Sequence, residues 1–203
     1  MKRIRVQYVL LLLILATIVG GVAYVMSRGI SARAEPSAAE TFIARRLRRL
    51  AIPRAAREAV NPVPTSPEIL MEAMEHFADH CAFCHANDGS GDTAIAKGLY
   101  PKPPDMKQAA TQSLSDGELF YIIQNGVRFT GMPGFATLDG LHDQDSWKLV
   151  RFIRHLPVIT VEELAQMREL NPKTPADLKE EEEIRRFLEG TENASSNETH
   201  QHH

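Results

Sequence analysis

Cys81-Ala82-Phe83-Cys84-His85 places two thiols three residues apart with an imidazole directly behind them. On a helical turn, each thiol of a C-x-x-C-H run can form a thioether with one haem vinyl group. The histidine then stands beneath the iron as an axial ligand. Competing chemistries need residues the chain does not offer. A thioredoxin-like C-x-x-C belongs in a βαβ setting, and no alternating strand pattern here is long enough to trust. Two cysteines in the whole chain exclude a Cys₄ zinc site. A mixed site drawing on His76 and His80 lacks further ligands at matching spacing. A disulfide between these neighbours would leave His85 without a role. The expectation is one covalently attached haem c, with His85 on the iron. There is no Gly-rich phosphate loop and no nucleophile motif beside it.

Around this run the chain resembles a class I c-type cytochrome domain over residues 67–157, of the kind found in membrane-anchored bacterial monohaem cytochromes c. Phe77 stands four residues before the first cysteine. Ala73 lies four earlier, where the family more often has Gly. Trp147-Lys148-Leu149-Val150-Arg151-Phe152-Ile153-Arg154-His155-Leu156 has the form of the family's last helix. The resemblance implies a small all-α fold whose two terminal helices cross near Ala73. It also implies a second axial ligand, and Gly131-Met132-Pro133 resembles the family's sixth-ligand loop. Met132 lies between glycines and a proline, off any helical stripe. Met106, closing a proline-rich loop, is the runner-up. Met71, Met74 and Met167 fall in helical patterns and read as packing residues. His142 and His155 are the remaining alternatives, His155 reading as a surface or capping residue at a helix end. His/Met ligation would raise the reduction potential. The loop from Leu99 to Pro104 resembles the segment whose carbonyl holds the second ring N–H of the proximal histidine. Tyr100, Arg128 and Trp147 are candidate donors to haem propionates; each can equally pack or expose a charge.

The elements that must position these residues are marked by their caps. Ser115-Asp116-Gly117-Glu118 is a capping box, with Leu114 as a possible staple, and its helix ends at Gly126. Asp143 or Asp145 starts the last cytochrome helix, and Pro157 lies just past its end. Residues 158–190 read as a C-terminal helical extension. Thr160-Val161-Glu162-Glu163 opens one helix to about Leu170, Asn171-Pro172 breaks it, and Thr174 to Leu188 forms a second. Residues 191–203 read as a disordered polar tail, whose His200, His202 and His203 make either a weak metal site or a frayed end.

Residues 1–5 are a basic start and Val6 to Met26 an uncharged apolar run. That run is long enough to span a bilayer, and Lys2, Arg3 and Arg5 favour keeping the first end in the cytoplasm. A cleaved signal peptide is the rival, with Ala32-Arg33-Ala34 as its site, but the run exceeds a secretory core. Residues 27–66 form a basic, proline-containing neck. Within it Thr41 to Ala51 reads as a helix with Phe42, Ile43, Leu47 and Leu50 as an apolar stripe. Three settings suit it: anionic lipid or an acidic partner, a linker packed on its own domain, or the acidic body of the same chain.

The chain has 203 residues, 43% hydrophobic and 24% charged, enough for one or two small domains. A net charge of −3 excludes binding nucleic acid by bulk positive charge. Residues 1–66 hold 11 Lys/Arg against 3 Asp/Glu, whereas residues 67–203 hold 12 against 23. The reading is an all-α protein with an N-terminal transmembrane helix and extra C-terminal helices. Its haem domain would lie on the periplasmic side of the cytoplasmic membrane. With both axial positions filled it would be an electron carrier and not an enzyme. Its partners would be a respiratory oxidoreductase or another cytochrome. The alternatives are a haem-based sensor with a displaceable sixth ligand, and an electron-transfer subunit of a larger oxidoreductase.

Overall fold

Ser66 sets the start of the helix that carries the haem motif. Its hydroxyl accepts from the Ile69 amide (3.3 Å), and Pro67 fills the first helical position, where a missing N–H costs nothing. The computed structural model describes residues 2–136, 143–173, 177–180 and 182–187; no strand occurs among them. The regular elements are α1 (Lys2–Arg28), α2 (Ala38–Ala51), α3 (Arg54–Arg57), α4 (Pro67–His76), α5 (Ala82–His85), α6 (Ala109–Gln112), α7 (Asp116–Asn125), α8 (Asp143–His155) and α9 (Val161–Leu170). A π-helical turn, Phe77–Cys81, joins α4 to α5.

The core forms where α4 packs on α8. Ala73 has no exposed surface at this contact, so the alanine is accommodated where a glycine was the commoner choice. Below it the Phe77 and Phe152 rings meet at 4.9 Å, tilted by 52°, and both are buried. Each such ring contributes about 1.5–3 kcal/mol by leaving water. The α7 helix closes the next side. Its Phe120 stacks on Trp147 at 4.0 Å, and its Gln124 amide donates to Ser146 Oγ at 2.7 Å. The capping box at Ser115 and Glu118 forms as expected, with the helix beginning at Asp116. Arg154 ties α8 to the first residue of α7 through Asp116 Oδ1 (2.9 Å), and to the segment before it through the carbonyls of Gln112 and Leu114.

The segment after α2 belongs to the same packing. Gly117 in α7 touches α3 so closely that a Cβ would stand 1.9 Å from the Ala56 carbonyl oxygen. Ile52 and Val63 are buried. Asn61 donates to the Trp147 carbonyl at 2.9 Å, and Arg151 donates to the Val63 carbonyl at 2.6 Å. At the other end, the Thr160–Glu163 capping box opens α9, whose Met167 is fully buried against the π-helical turn and α4. Of the three methionines assigned to packing, Met74 and Met167 are buried and Met71 is exposed.

The α1 helix stands apart, with Arg5–Ser27 as a candidate membrane span of 23 residues and none of it buried in the protein. At 1.5 Å per residue that is about 35 Å, against an apolar bilayer core of about 30 Å. Two of its hydroxyls are satisfied within the helix: Thr17 Oγ1 donates to Leu13 O and Ser27 Oγ to Tyr24 O, both at 2.8 Å. Residues 177–180 and 182–187 are helical. His142, Thr174, Leu188 and the 191–203 tail with its three histidines lie outside the described residues.

Candidate functional site

The α4 helix does not run on smoothly into the cysteine motif. It widens into the π-helical turn, which delivers Cys81, and then tightens into the single turn of α5, which carries Cys84 and His85. Helical turns of this wide kind are frequent at functional sites. The chain leaves α5 abruptly at Ala86, with φ 59°, and the Gly91 amide returns to the His85 carbonyl at 2.8 Å. His85 is buried, Cys81 and Cys84 are half-buried, and both thiols are free. Burial pushes His85 down to about 4, so its imidazole is neutral at pH 7, the form a metal requires. Burial first, then the neighbouring Cys84, pushes the Cys81 thiol up to about 12.

Met132 is brought to the same place from the other side of the sequence. The Val127 amide donates to the Met132 carbonyl (3.1 Å), and the Met132 amide donates to Thr130 Oγ1 (3.1 Å). Two further bonds, Phe135 N–H to Ile123 O (3.0 Å) and Ala136 N–H to Gln124 O (2.9 Å), lay the loop along the end of α7. Glycine makes this approach possible. A Cβ on Gly126, whose φ is +65°, would stand 2.5 Å from Pro133 C, and one on Gly134 would stand 2.8 Å from Gln124 O.

Cys81, His85, Met106 and Met132 line one apolar cavity, with Phe77, Ile123, Phe135, Leu149 and Ile153 completing its wall. Leu149 and Ile153 come from successive turns of α8, a spacing visible in the sequence. Ile123 comes from α7, one turn after Leu119, whereas Phe135 is brought in by the glycine-dependent loop and only its apolar character marks it in the sequence. Met106 is buried in the core, with its amide on the Gly89 carbonyl (2.7 Å). Tyr100, Arg128 and Trp147 are not among the lining residues. The Tyr100 hydroxyl donates to Glu40 of α2 (3.2 Å), Trp147 stacks on Phe120, and Arg128 is exposed. His155 pairs with Glu163 through Nε2 at 2.8 Å and lines no part of the cavity.

These donors suit haem: two thiols and a neutral imidazole within five residues, two methionine thioethers on the same cavity as Cys81 and His85, and an apolar wall. The buried Nδ1 of His85 has no hydrogen-bond partner among the described residues. The side chains leave a gap of about 20 Å³, so a macrocycle requires the Met132 loop and the Cys81–His85 turn to stand further apart. A wider cleft of about 510 Å³, lined by Glu72, His76, Asp79, His80 and Lys148 among others, shares no residue with this cavity. Among the described residues no group of three or more His, Cys, Asp or Glu side chains is placed to hold a metal ion.

Residues 69–153 match the model of the family described as cytochrome c oxidase, cbb3-type, subunit III. This segment is a class I c-type cytochrome domain. The match begins in α4 and ends in α8, so it spans the two crossing helices and everything that lines the cavity between them. No curated protein matches the chain significantly. A cytochrome c domain implies haem c and haem-based electron transfer. α1 adds one apolar helix long enough to cross a membrane.

Proposed function

We propose that this chain carries single electrons between membrane-associated redox partners through one haem c, ligated by His85 and Met132. The observation that supports it most is the convergence of Cys81, His85 and Met132 on one apolar cavity inside the matched segment. The haem would supply a one-electron Fe(II)/Fe(III) couple. Cys81 and Cys84 would each add S–H across one vinyl group, so the cofactor is held with no group lost. His85, neutral by burial, would offer its lone pair to the iron. Met132 would fill the last position from its pinned loop, and a thioether there favours the reduced state and a raised potential. The apolar lining would keep water from the iron, and with His85 and Met132 both bound no position would be left for substrate. The chain would therefore act as a carrier and not as an enzyme.

We further propose that α1 is retained as an anchor, with the cytochrome domain on the periplasmic side of the cytoplasmic membrane. The family description names an oxidase subunit, which favours a respiratory oxidoreductase as partner, either as a complex that holds this chain or as one that exchanges electrons with it. The test is haem that survives denaturation. Matured full-length protein should keep its haem through unfolding and acid–acetone extraction, at one per chain. Cys81→Ala should keep a single-thioether spectrum or lose haem altogether. Haem that extracts freely from the parent protein would overturn the covalent assignment.

A further inference from the structure

The α2 helix is packed with its polar side inward. Thr41 and Arg48 face the body of the protein and are half-buried, and Arg48 Nε is buried without a partner. At 100° per residue, Phe42, Ile43, Leu47 and Leu50 fall on the opposite side, and all four are more than half exposed. An amphipathic helix that packs alone on its domain does the reverse. The inverted orientation is held by specific contacts. Glu40 accepts from the Tyr100 hydroxyl (3.2 Å), Arg49 pairs with buried Glu118 (3.4 Å), and Glu35 pairs with Lys102 just before the helix. Arg45, Arg46 and Arg49 are exposed: Arg45 and Arg49 border the apolar stripe on its Phe42 side, and Arg46 lies within it, its guanidinium 5.3 Å from the Phe42 ring centre. Residues 29–37 separate α2 from the end of α1. Nine residues reach at most about 30 Å, so α2 stays close to the surface of any bilayer that α1 crosses.

We propose that the outer face of α2 lies in the headgroup layer of an anionic lipid bilayer, and so fixes the attitude of the cytochrome domain on the membrane. The stripe supplies the apolar insertion, and Arg45 and Arg46 supply the attraction to lipid phosphates. The contacts of Glu40 and Arg49 set which side of the helix faces the domain. This rests on the reading of α1 as the membrane span.

The test uses the full-length holoprotein in bilayer nanodiscs of phosphatidylcholine, alone or with one-quarter phosphatidylglycerol. Spin labels are placed singly through Leu47→Cys, Phe42→Cys and Leu12→Cys. Collisions with oxygen report lipid, and collisions with a nickel chelate report water. The Leu12 label should meet oxygen and not nickel in both discs. The Leu47 and Phe42 labels should lose nickel broadening and gain oxygen broadening when phosphatidylglycerol is present, and regain nickel access without it. A Leu47 label open to nickel in both discs, with Leu12 in lipid, overturns the proposal and leaves the anchor standing. Equal immersion in both discs overturns the anionic requirement. A Leu47 label shielded from both reagents means that protein, a second copy or an acidic partner, covers the face, and also overturns it. A Leu12 label open to nickel overturns the anchor and this proposal together.

Discussion

His155 and Glu163 show what a single pair can do in this fold. Glu163 caps the start of α9 by accepting from the Thr160 amide (2.8 Å), and the same carboxylate holds His155 Nε2 (2.8 and 3.0 Å). Burial raises the Glu163 carboxyl, but the His155 hydrogen bond and the Thr160 amide outweigh it and leave it below the usual 4.5. A carboxyl depressed in the folded state stabilises above its unfolded pKa, and the contribution fades as pH falls through the folded value. Glu163→Gln should therefore lower stability by about 1 kcal/mol at pH 7. The difference should shrink below pH 4.5, as read from denaturant midpoints of the two proteins; a gap of the same size at pH 3 would contradict the assignment. At this scale the haem-binding run is legible in the sequence because its chemistry is contiguous: two thiols and an imidazole within five residues need no tertiary information. The pairing of His155 is not, because Glu163 reads as a cap and its second bond depends on where α9 docks. Met132 and Met106 both reach the cavity, and sequence separates them only by setting, a glycine-flanked loop against the close of a proline-rich one.

Among the elements, α4 and α8 are readable because the aromatic and small residues that make their crossing recur at helical spacing. Ala73, Phe77 and Phe152 are apolar on one face and leave one packing solution. The α2 helix is less readable. Its stripe predicts a helix from Thr41, whereas the Ser37–Glu40 capping box starts it at Ala38. Periodicity gives the apolar face of a helix but not which side meets the domain, so the inward Arg48 could not be foreseen. The Met132 loop lies between these cases: its glycines are visible, but the atoms they approach are not. Gly126 sits at φ +65°, where a Cβ would meet Pro133 and the Met132 carbonyl at 2.5 and 2.6 Å. Gly126→Ala should destabilise the domain by about 1–3 kcal/mol. It should also weaken the methionine-to-ferric-iron absorption band while the haem stays covalently bound. An unchanged band would show that the close approach of this glycine does not set the ligand loop.

The whole molecule joins a basic front to an acidic body, and the structure brings the two together at Arg49–Glu118 and Lys102–Glu35. Ile52, Asn61 and Val63 are buried and anchor the segment between them to α7 and α8, and no composition rule separates such a segment from a linker. The α1 helix, in contrast, has no part buried in the protein. Removing residues 1–28 should leave the visible spectrum unchanged and shift unfolding free energy by no more than about 0.5 kcal/mol. A larger loss, measured by denaturant unfolding of the two holoproteins, would mean that α1 packs on the domain. The most direct test of the account is the absorption spectrum of the full-length holoprotein: oxidised, reduced, and reduced under carbon monoxide, beside Met132→Ala and Met106→Ala. His85/Met132 ligation predicts a low-spin spectrum with the far-red methionine-to-iron band, no response to carbon monoxide, and loss of that band in Met132→Ala but not in Met106→Ala. A high-spin spectrum, a shift with carbon monoxide, or a band that survives in Met132→Ala would contradict it.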